Sequence, residues 1–366
     1  MTVWSPQQNE ALSTAGAWLR IRHQPTFYLA GFAGAGKSTL AMHLASYAKG
    51  DVAFAAFTGK AARVMRSKGC RGAKTIHALI YNTEVNESTG EVRVTLKDPG
   101  ALDKYGLIVI DECSMVNEEM GKDLLSFGRP VLVLGDPAQL PPVSGGGYFT
   151  ARKPDYMLTE VHRQAAESPI LRLATEIREG RYKGDEINAD GLIVTSRKNL
   201  DGQLVTEADV VIVGRNDTRQ QYNRRLREIA GKTDPFPLTG EPLICLRNDR
   251  FAKIFNGDIL TVGKKKVGKK SVQLWMDDPE GERPTTKVSV RKEFFEDDVA
   301  AAKLPFKEIR GTQQFTFGYA ITCHKSQGSQ WDKVCVFDQS HAFREDRDRW
   351  LYTAATRASE HLTLVI

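Results

Sequence analysis

The residues best suited to chemistry in this 366-residue chain lie in two short stretches. The first runs Gly31-Phe-Ala-Gly-Ala-Gly36-Lys37-Ser38 and fits G-x-x-x-x-G-K-[ST]. That spacing suits a phosphate chain. The glycines let backbone N–H groups wrap it, the lysine reaches the β and γ oxygens, and the hydroxyl ligates Mg²⁺. The second stretch, Leu107-Ile-Val-Ile-Asp111-Glu112, is an apolar run closed by two acids. Behind a phosphate loop, Asp111 would hold Mg²⁺ through water and Glu112 would take a proton from the attacking water. Two acids at a strand end are, alone, an ordinary solvated terminus. Together the stretches predict an Mg²⁺-dependent nucleoside triphosphatase.

These groups need rigid supports. Short apolar runs at Phe27–Ala30, Val52–Ala56, Leu107–Ile110 and Val131–Leu134 alternate with helical patterns, which predicts a parallel α/β sheet. The phosphate loop follows the first run and opens the helical stretch TLAMHLASYA. A polar segment, TEVNESTGEVRVTLKDPG, alternates over Glu91–Leu96 and predicts an inserted hairpin. PPVSGGG at 141–147 ends the first domain core. Beyond it, Ser168–Glu179 predicts a helix, Asp209–Val213 a buried strand and Asp217–Ala230 a second helix. In that helix Tyr222, Leu226 and Ile229 share one face, with Arg224, Arg225 and Arg227 turned largely away. Residues 236–311 change to short alternating segments with a Lys-rich turn, GKKKVGKK, predicting a small all-β insertion. Phe317–Thr322, Val334–Phe337 and Leu362–Ile366 then resume buried-strand character, so the second α/β domain is discontinuous.

Composition sets outer bounds. With 41% apolar and 26% charged residues, the chain falls outside the collagen-like, disordered and coiled-coil classes. A net charge of +6 permits a polyanionic partner without demanding one. Five cysteines with no CxxC pair indicate neither a disulfide framework nor a zinc ribbon. The seven histidines show no metal-ligand spacing. No secretory signal pattern opens the chain, and its apolar runs are too short to cross a bilayer. The expectation is a reduced, soluble, cytoplasmic protein of a bacterial cell or phage-infected host, with no membrane partner.

Further segments follow in a telling order. They are SPQQNEAL (5–12), AAFTGKAARVM (55–65), TIHALIY (75–81), LIVIDECSMV (107–116), LVLGDPAQLPPV (132–143), LTEVHRQ (158–164), AITCHKSQGSQWDKV (320–334) and LYTAATRA (351–358). With the phosphate loop as motif I, they resemble motifs Q, Ia, Ib, II, III, IV, V and VI of superfamily 1 helicases of the 5′-to-3′ RecD/Dda-like type. GDPAQLPP and HKSQGSQ are the most specific. Lys37 and Asp111 are 74 positions apart, which leaves no room for the large helical insertion of the 3′-to-5′ branch. IFNGDIL matches a segment often found in the 5′-to-3′ branch.

The resemblance implies two RecA-like P-loop domains with ATP and Mg²⁺ as cofactors. Domain 1A would cover 1–150, with a β-hairpin pin at about 82–104. Domain 2A would cover 151–235 plus 312–366, and a small SH3-like all-β insertion would cover 236–311. Gln8 would read the adenine edge, and Gly34, Ala35, Gly36, Lys37, Ser38, Thr39 and Gly328 would hold nucleotide. Gln139 would sense the γ-phosphate. Arg163 and Arg357 would act as arginine fingers across an interdomain cleft, making hydrolysis depend on closure. Thr58, Lys60, Thr322 and Lys325 would hydrogen-bond DNA phosphates, a sequence-independent mode. Thr75, His77, Pro141 and His324 would face the strand. Lys264–Lys270 is a solvated turn, or a second DNA contact.

The implied function is an ATP-dependent DNA helicase that translocates 5′-to-3′ on single-stranded and fork DNA. It would be monomeric and work beside a single-strand-binding or replication protein. Three alternatives stay open: a translocase that strips proteins without separating strands, a nucleotide-dependent scaffold without turnover, and an RNA substrate. The turn of the expected pin, Asn86-Glu-Ser-Thr-Gly90, has no aromatic tip.

Overall fold

The computed structural model describes residues 4–85, 92–141, 147–160, 168–249, 252, 254–279, 281 and 284–366. Up to residue 158 the strands are β1 (Thr26–Gly31), β2 (Asp51–Ala56), β3 (Lys74–Thr75), β4 (Tyr81–Val85), β5 (Val92–Leu96), β6 (Tyr105–Asp111), β7 (Val131–Gly135) and β8 (Tyr156–Leu158). The four apolar runs become β1, β2, β6 and β7, each extended by one to three residues. Six strands form a parallel sheet in the order β3-β2-β6-β7-β1-β8, and β4 and β5 pair separately. Parallel sheets are covered on both faces, so central strands read as continuous apolar runs. All six residues of β1 and all five of β7 are buried.

Helices supply the cover: α1 (Pro6–Ile21), α2 (Lys37–Ala45), α3 (Gly59–Ser67), α4 (Ile76–Ile80) and α5 (Glu118–Leu125). A capping box starts α1, where the Ser5 side chain accepts from Gln8 N–H, Gln8 accepts from Ser5 N–H, and Pro6 takes the first turn. Trp18 and Leu19 of α1 pack with Leu40 and Leu44 of α2 against Phe27, Leu29 and Val109. On the opposite face Ile76, Leu79 and Ile80 of α4 cover Tyr28, Ile108, Ile110 and Val133.

The chain divides into two compact units. The first comprises Met1–Glu84, Val92–Lys183 and Asp348–Thr356; the second comprises Val85–Glu91, Gly184–Arg347 and Arg357–Ile366. In the second unit the strands are β9 (Ile187–Ala189), β10 (Leu192–Thr195), β11 (Val210–Val213), β12 (Pro242–Cys245), β13 (Ile259–Val267), β14 (Ser271–Asp277), β15 (Thr286–Arg291), β16 (Phe315–Phe317), β17 (Ala320–Thr322), β18 (Trp331–Phe337) and β19 (Ala358–Val365). One sheet has the order β17-β11-β18-β19-β10-β9, parallel except for β9 at its edge. The other is antiparallel, in the order β15-β14-β13-β12-β16, over its own core of Leu243, Leu260, Leu274, Val288, Phe294 and Phe315.

Two expectations change here. The run Phe317–Thr322 is divided: β16 pairs with β12 in the antiparallel sheet, and β17 pairs with β11 in the parallel one. Gly318 makes the crossing, where a Cβ would sit 3.1 Å from the backbone N of Ile244. Helix Asn216–Ile229 reverses part of its expected polarity. Leu226 is buried, but Ile229 is 55% exposed, while Arg227 is buried on Glu241 with Nε–Oε1 at 2.7 Å. A partner supplied from the segment just before β12 outweighed the helix period.

All five cysteines are free and buried. Among the described residues no helix is long and apolar enough to cross a membrane.

Candidate functional site

The carboxyl ends of β1, β6 and β7 converge because these strands are neighbours, with β7 between the other two. Ligands of open α/β sheets bind outside strand carboxyl ends. At the end of β1, Gly31 has no room for a side chain: a Cβ would lie 2.9 Å from Leu158 Cβ and 3.2 Å from Lys37 Cγ. Gly36 takes φ 79°, a left-handed turn that opens α2 without a Cβ penalty. Gly34 and Thr39 are exposed, Ala35 is buried, and Gly36, Lys37 and Ser38 are half-buried. Lys37 folds over its own loop, its Nζ donating to the carbonyls of Gly31 at 2.6 Å and Phe32 at 3.0 Å. Gln8, buried beside the loop, donates to the Ala35 carbonyl at 3.5 Å.

At the end of β6, Asp111 Oδ2 accepts from Ser38 Oγ at 3.1 Å and Oδ1 accepts from Glu112 N–H at 2.8 Å. Glu112 sits at φ 53°, ψ 48°, in the left-handed region that residues with a Cβ adopt uncommonly. Ser38 and Asp111 thus present hard oxygen donors side by side. Among the described residues no three His, Cys, Asp or Glu side chains form a metal cluster. The donor set suits Mg²⁺, which keeps waters and takes phosphate oxygens rather than an all-protein cage. Beyond β7 comes Gln139, 8% exposed, its Oε1 buried without a hydrogen-bond partner among the described residues.

The candidate nucleic-acid residues of the first unit also lie at strand carboxyl ends. Thr58 caps α3 by accepting from Ala61 N–H at 3.1 Å, and Thr75 caps α4 by accepting from Ala78 N–H at 3.1 Å. Lys60 sits half-buried in the first turn of α3, and Pro141 is half-buried. The His77 ring packs 4.5 Å from Tyr81. Three others belong to the second unit. Thr322 ends β17, burial pushes the His324 imidazole pKa down beside Phe343, and Lys325 Nζ donates to Asn256 Oδ1 at 2.7 Å. Gly328 takes φ 73° in the same segment. Arg357, 4% exposed, donates from Nη1 to the Ser329 carbonyl at 3.1 Å. Arg163 lies outside the described residues, as do Asn86–Gly90.

Three residues at the site carry no sequence-based expectation. Asp136 and Tyr352 share a 2.6 Å hydrogen bond, and Arg178 lies 3.4 Å over the ring of Phe32 in the phosphate loop. GDPAQ and YTAATRA mark the first two as motif members, but a contact spanning 216 positions leaves no local trace.

This is the site of a P-loop nucleotide-binding protein. Residues 5–197 match the family model described as an AAA domain, and residues 317–365 match that of a UvrD-like helicase C-terminal domain. With more than half its length inside the first match, the chain belongs to the AAA domain family. It is 29% identical over 367 residues to the ATP-dependent RecD2 DNA helicase of Deinococcus radiodurans, covering 91% of this chain and 46% of that protein. It is 32% identical over 174 residues to the ATP-dependent DNA helicase dda of Enterobacteria phage T4, covering 43% of this chain and 38% of that one. The chain spans less than half the length of these curated relatives. Its fold is similar to that of Bacteroides Pif1 bound to ssDNA, with TM-score 0.60 and 18% identity, covering 100% of this chain and 92% of that one. The resemblance to RecD/Dda-like members of superfamily 1 is borne out.

Proposed function

We propose that this chain is an ATP-dependent DNA helicase that moves 5′-to-3′ on single-stranded DNA and separates the duplex ahead of it. The observation that carries the reading is the Ser38–Asp111 contact under the phosphate loop, with the buried, unpartnered Gln139 Oε1 beyond the intervening strand. Lys37 would exchange its two loop carbonyls for the β and γ oxygens of ATP. Glu112 would accept the proton of the attacking water, Gln139 would meet the γ-phosphate, and Arg163 and Arg357 would act as arginine fingers. Ser38 and Asp111 would hold Mg²⁺, whose charge offsets that of the phosphates.

The DNA side draws support from the relatives' names and from the exposed lysines Lys264, Lys266, Lys269 and Lys270. Lys264 there lies 5.3 Å over Trp275. In this reading residues 1–150 form domain 1A, with the β4–β5 hairpin as its pin. Residues 151–235 and 312–366 form domain 2A, and residues 236–311 an SH3-like insertion. The protein would act as a monomer in the cytoplasm beside a single-strand-binding or replication protein. A second reading, protein-stripping translocation without strand separation, gains from the absence of an aromatic residue in Asn86–Gly90. Forks with a 5′ or a 3′ single-stranded tail test both, with ATPase followed on DNA and RNA in parallel. Unwinding of 5′-tailed forks alone supports the first reading. Preference for the 3′ tail overturns the polarity, and DNA-stimulated ATPase without unwinding favours the second reading.

A further inference from the structure

We infer that Tyr352 is a positioning residue whose hydroxyl latches the phosphate loop to the loop carrying Gln139. The inference rests on the nucleotide-hydrolysing reading above and assigns a part in it that no motif role covers. The phenol is 2% exposed. Its oxygen accepts from Ala33 N–H at 3.0 Å and donates to Asp136 Oδ2 at 2.6 Å. Ala33 lies in the phosphate loop, two residues after Gly31. Asp136 opens the loop beyond β7, and its other oxygen accepts from Ala138 N–H at 3.0 Å. The next residue of the helix Arg347–Ala355, which also carries Tyr352, is Thr353; it is fully buried and accepts from Leu140 N–H at 2.9 Å. Two consecutive side chains therefore fix the backbone on both sides of Gln139, before it through Asp136 and after it through Leu140.

Within that frame the Gln139 N–H bonds Asp136 O at 3.2 Å, while its side-chain Oε1 stays unpartnered. The backbone is held and the amide oxygen is spare, as a group meant for a ligand requires. Spending Ala33 N–H on Tyr352 also fixes the phosphate loop ahead of Gly34. A hydrogen bond to a buried carboxylate is of the stronger, charge-assisted kind. Burial, then the neighbouring carboxylate, push the phenol pKa well above its ordinary value, so the donor proton is retained across the working pH range. One hydroxyl thus ties the loop that grips the phosphates to the loop that senses them.

The test is steady-state ATP turnover in Tyr352→Phe, Gln139→Ala and the double variant, with thermal melting of each. Phe keeps the ring and loses only the latch. Misplacing a catalytic loop costs roughly a hundredfold, so kcat should fall about ten- to a hundredfold, with the melting temperature near parental. If the hydroxyl acts through Gln139, the double variant turns over no more slowly than Gln139→Ala alone. Thr353→Val breaks the companion bond at equal shape and carries the same expectation should Tyr352→Phe fail to fold. Parental kcat in both single latch variants, or losses that multiply in the double variant, overturns the inference. Lack of turnover in the parental protein would instead sink the ATPase reading, before any variant is measured.

Discussion

In the second unit Arg227 and Glu241 bury their charges against each other, and Glu241 also accepts from Leu238 N–H at 2.6 Å and Tyr319 hydroxyl at 3.1 Å. In the first unit Lys37 bends back on two carbonyls of its own loop, and Gln139 leaves a buried oxygen unmatched. The contrast separates two uses of a polar group in an apolar setting. A charge whose partners all belong to the fold holds elements in register, and losing one partner strands the other. A group with borrowed or missing partners is completed by something that arrives. The left-handed Glu112 lies in the first unit, next to Asp111.

The contrast breaks most sharply at the phosphate site. Lys37→Ala should abolish ATP hydrolysis, and Arg357→Ala should slow it by about a thousandfold or more if it acts as a finger. Colorimetric phosphate release checks both, and persistent turnover in the first would dismiss the phosphate loop as a working site. Glu112→Gln should keep nucleotide binding and lose roughly 10²- to 10⁴-fold in turnover, the usual contribution of a general base. A fluorescent ATP analogue separates binding from hydrolysis there, and near-parental turnover would remove the base assignment.

A smaller effect on hydrolysis is expected from replacing Glu84–Lys97 with a short Gly-Ser linker. Single-strand-stimulated ATPase should survive while fork unwinding collapses, because opening each step costs about 1.4 kcal/mol of stacking that a steric plough must redirect. Parental unwinding by the linker variant would show that strands part elsewhere. The least effect on chemistry should come from Glu241→Gln. Breaking a buried pair costs about 3–5 kcal/mol, so chemical denaturation should shift strongly while turnover per folded molecule stays parental. An equal loss of turnover would erase the distinction between the units.

The parts that sequence reading reached are local ones. Gly31 to Ser38 carry their own backbone requirements, and Asp111 and Glu112 end a run whose burial follows from its apolar side chains. The burial of Arg227 was hidden because its partner Glu241 lies just before β12, 14 positions on. Periodicity places a side chain on a helix face but cannot supply the opposite charge. Phe317–Thr322 reads as one apolar run because the change of sheet happens at Gly318, in backbone packing that composition does not record. Tyr352 and Asp136 were visible as letters in motifs, yet their bond exists only after the chain has folded.

The five buried thiols have a practical side. Burial pushes Cys245, Cys323 and Cys335 up to about 12 and raises Cys70 and Cys113 as well, so almost none is thiolate at neutral pH. Maleimide chemistry needs an accessible thiolate, which makes the natural chain a nearly silent background for labelling. Cysteines introduced at Tyr47 in the first unit and Val267 in the second, 53% and 44% exposed, would then be the fast-reacting sites. A dye pair there would report energy transfer between the two units with and without added ATP.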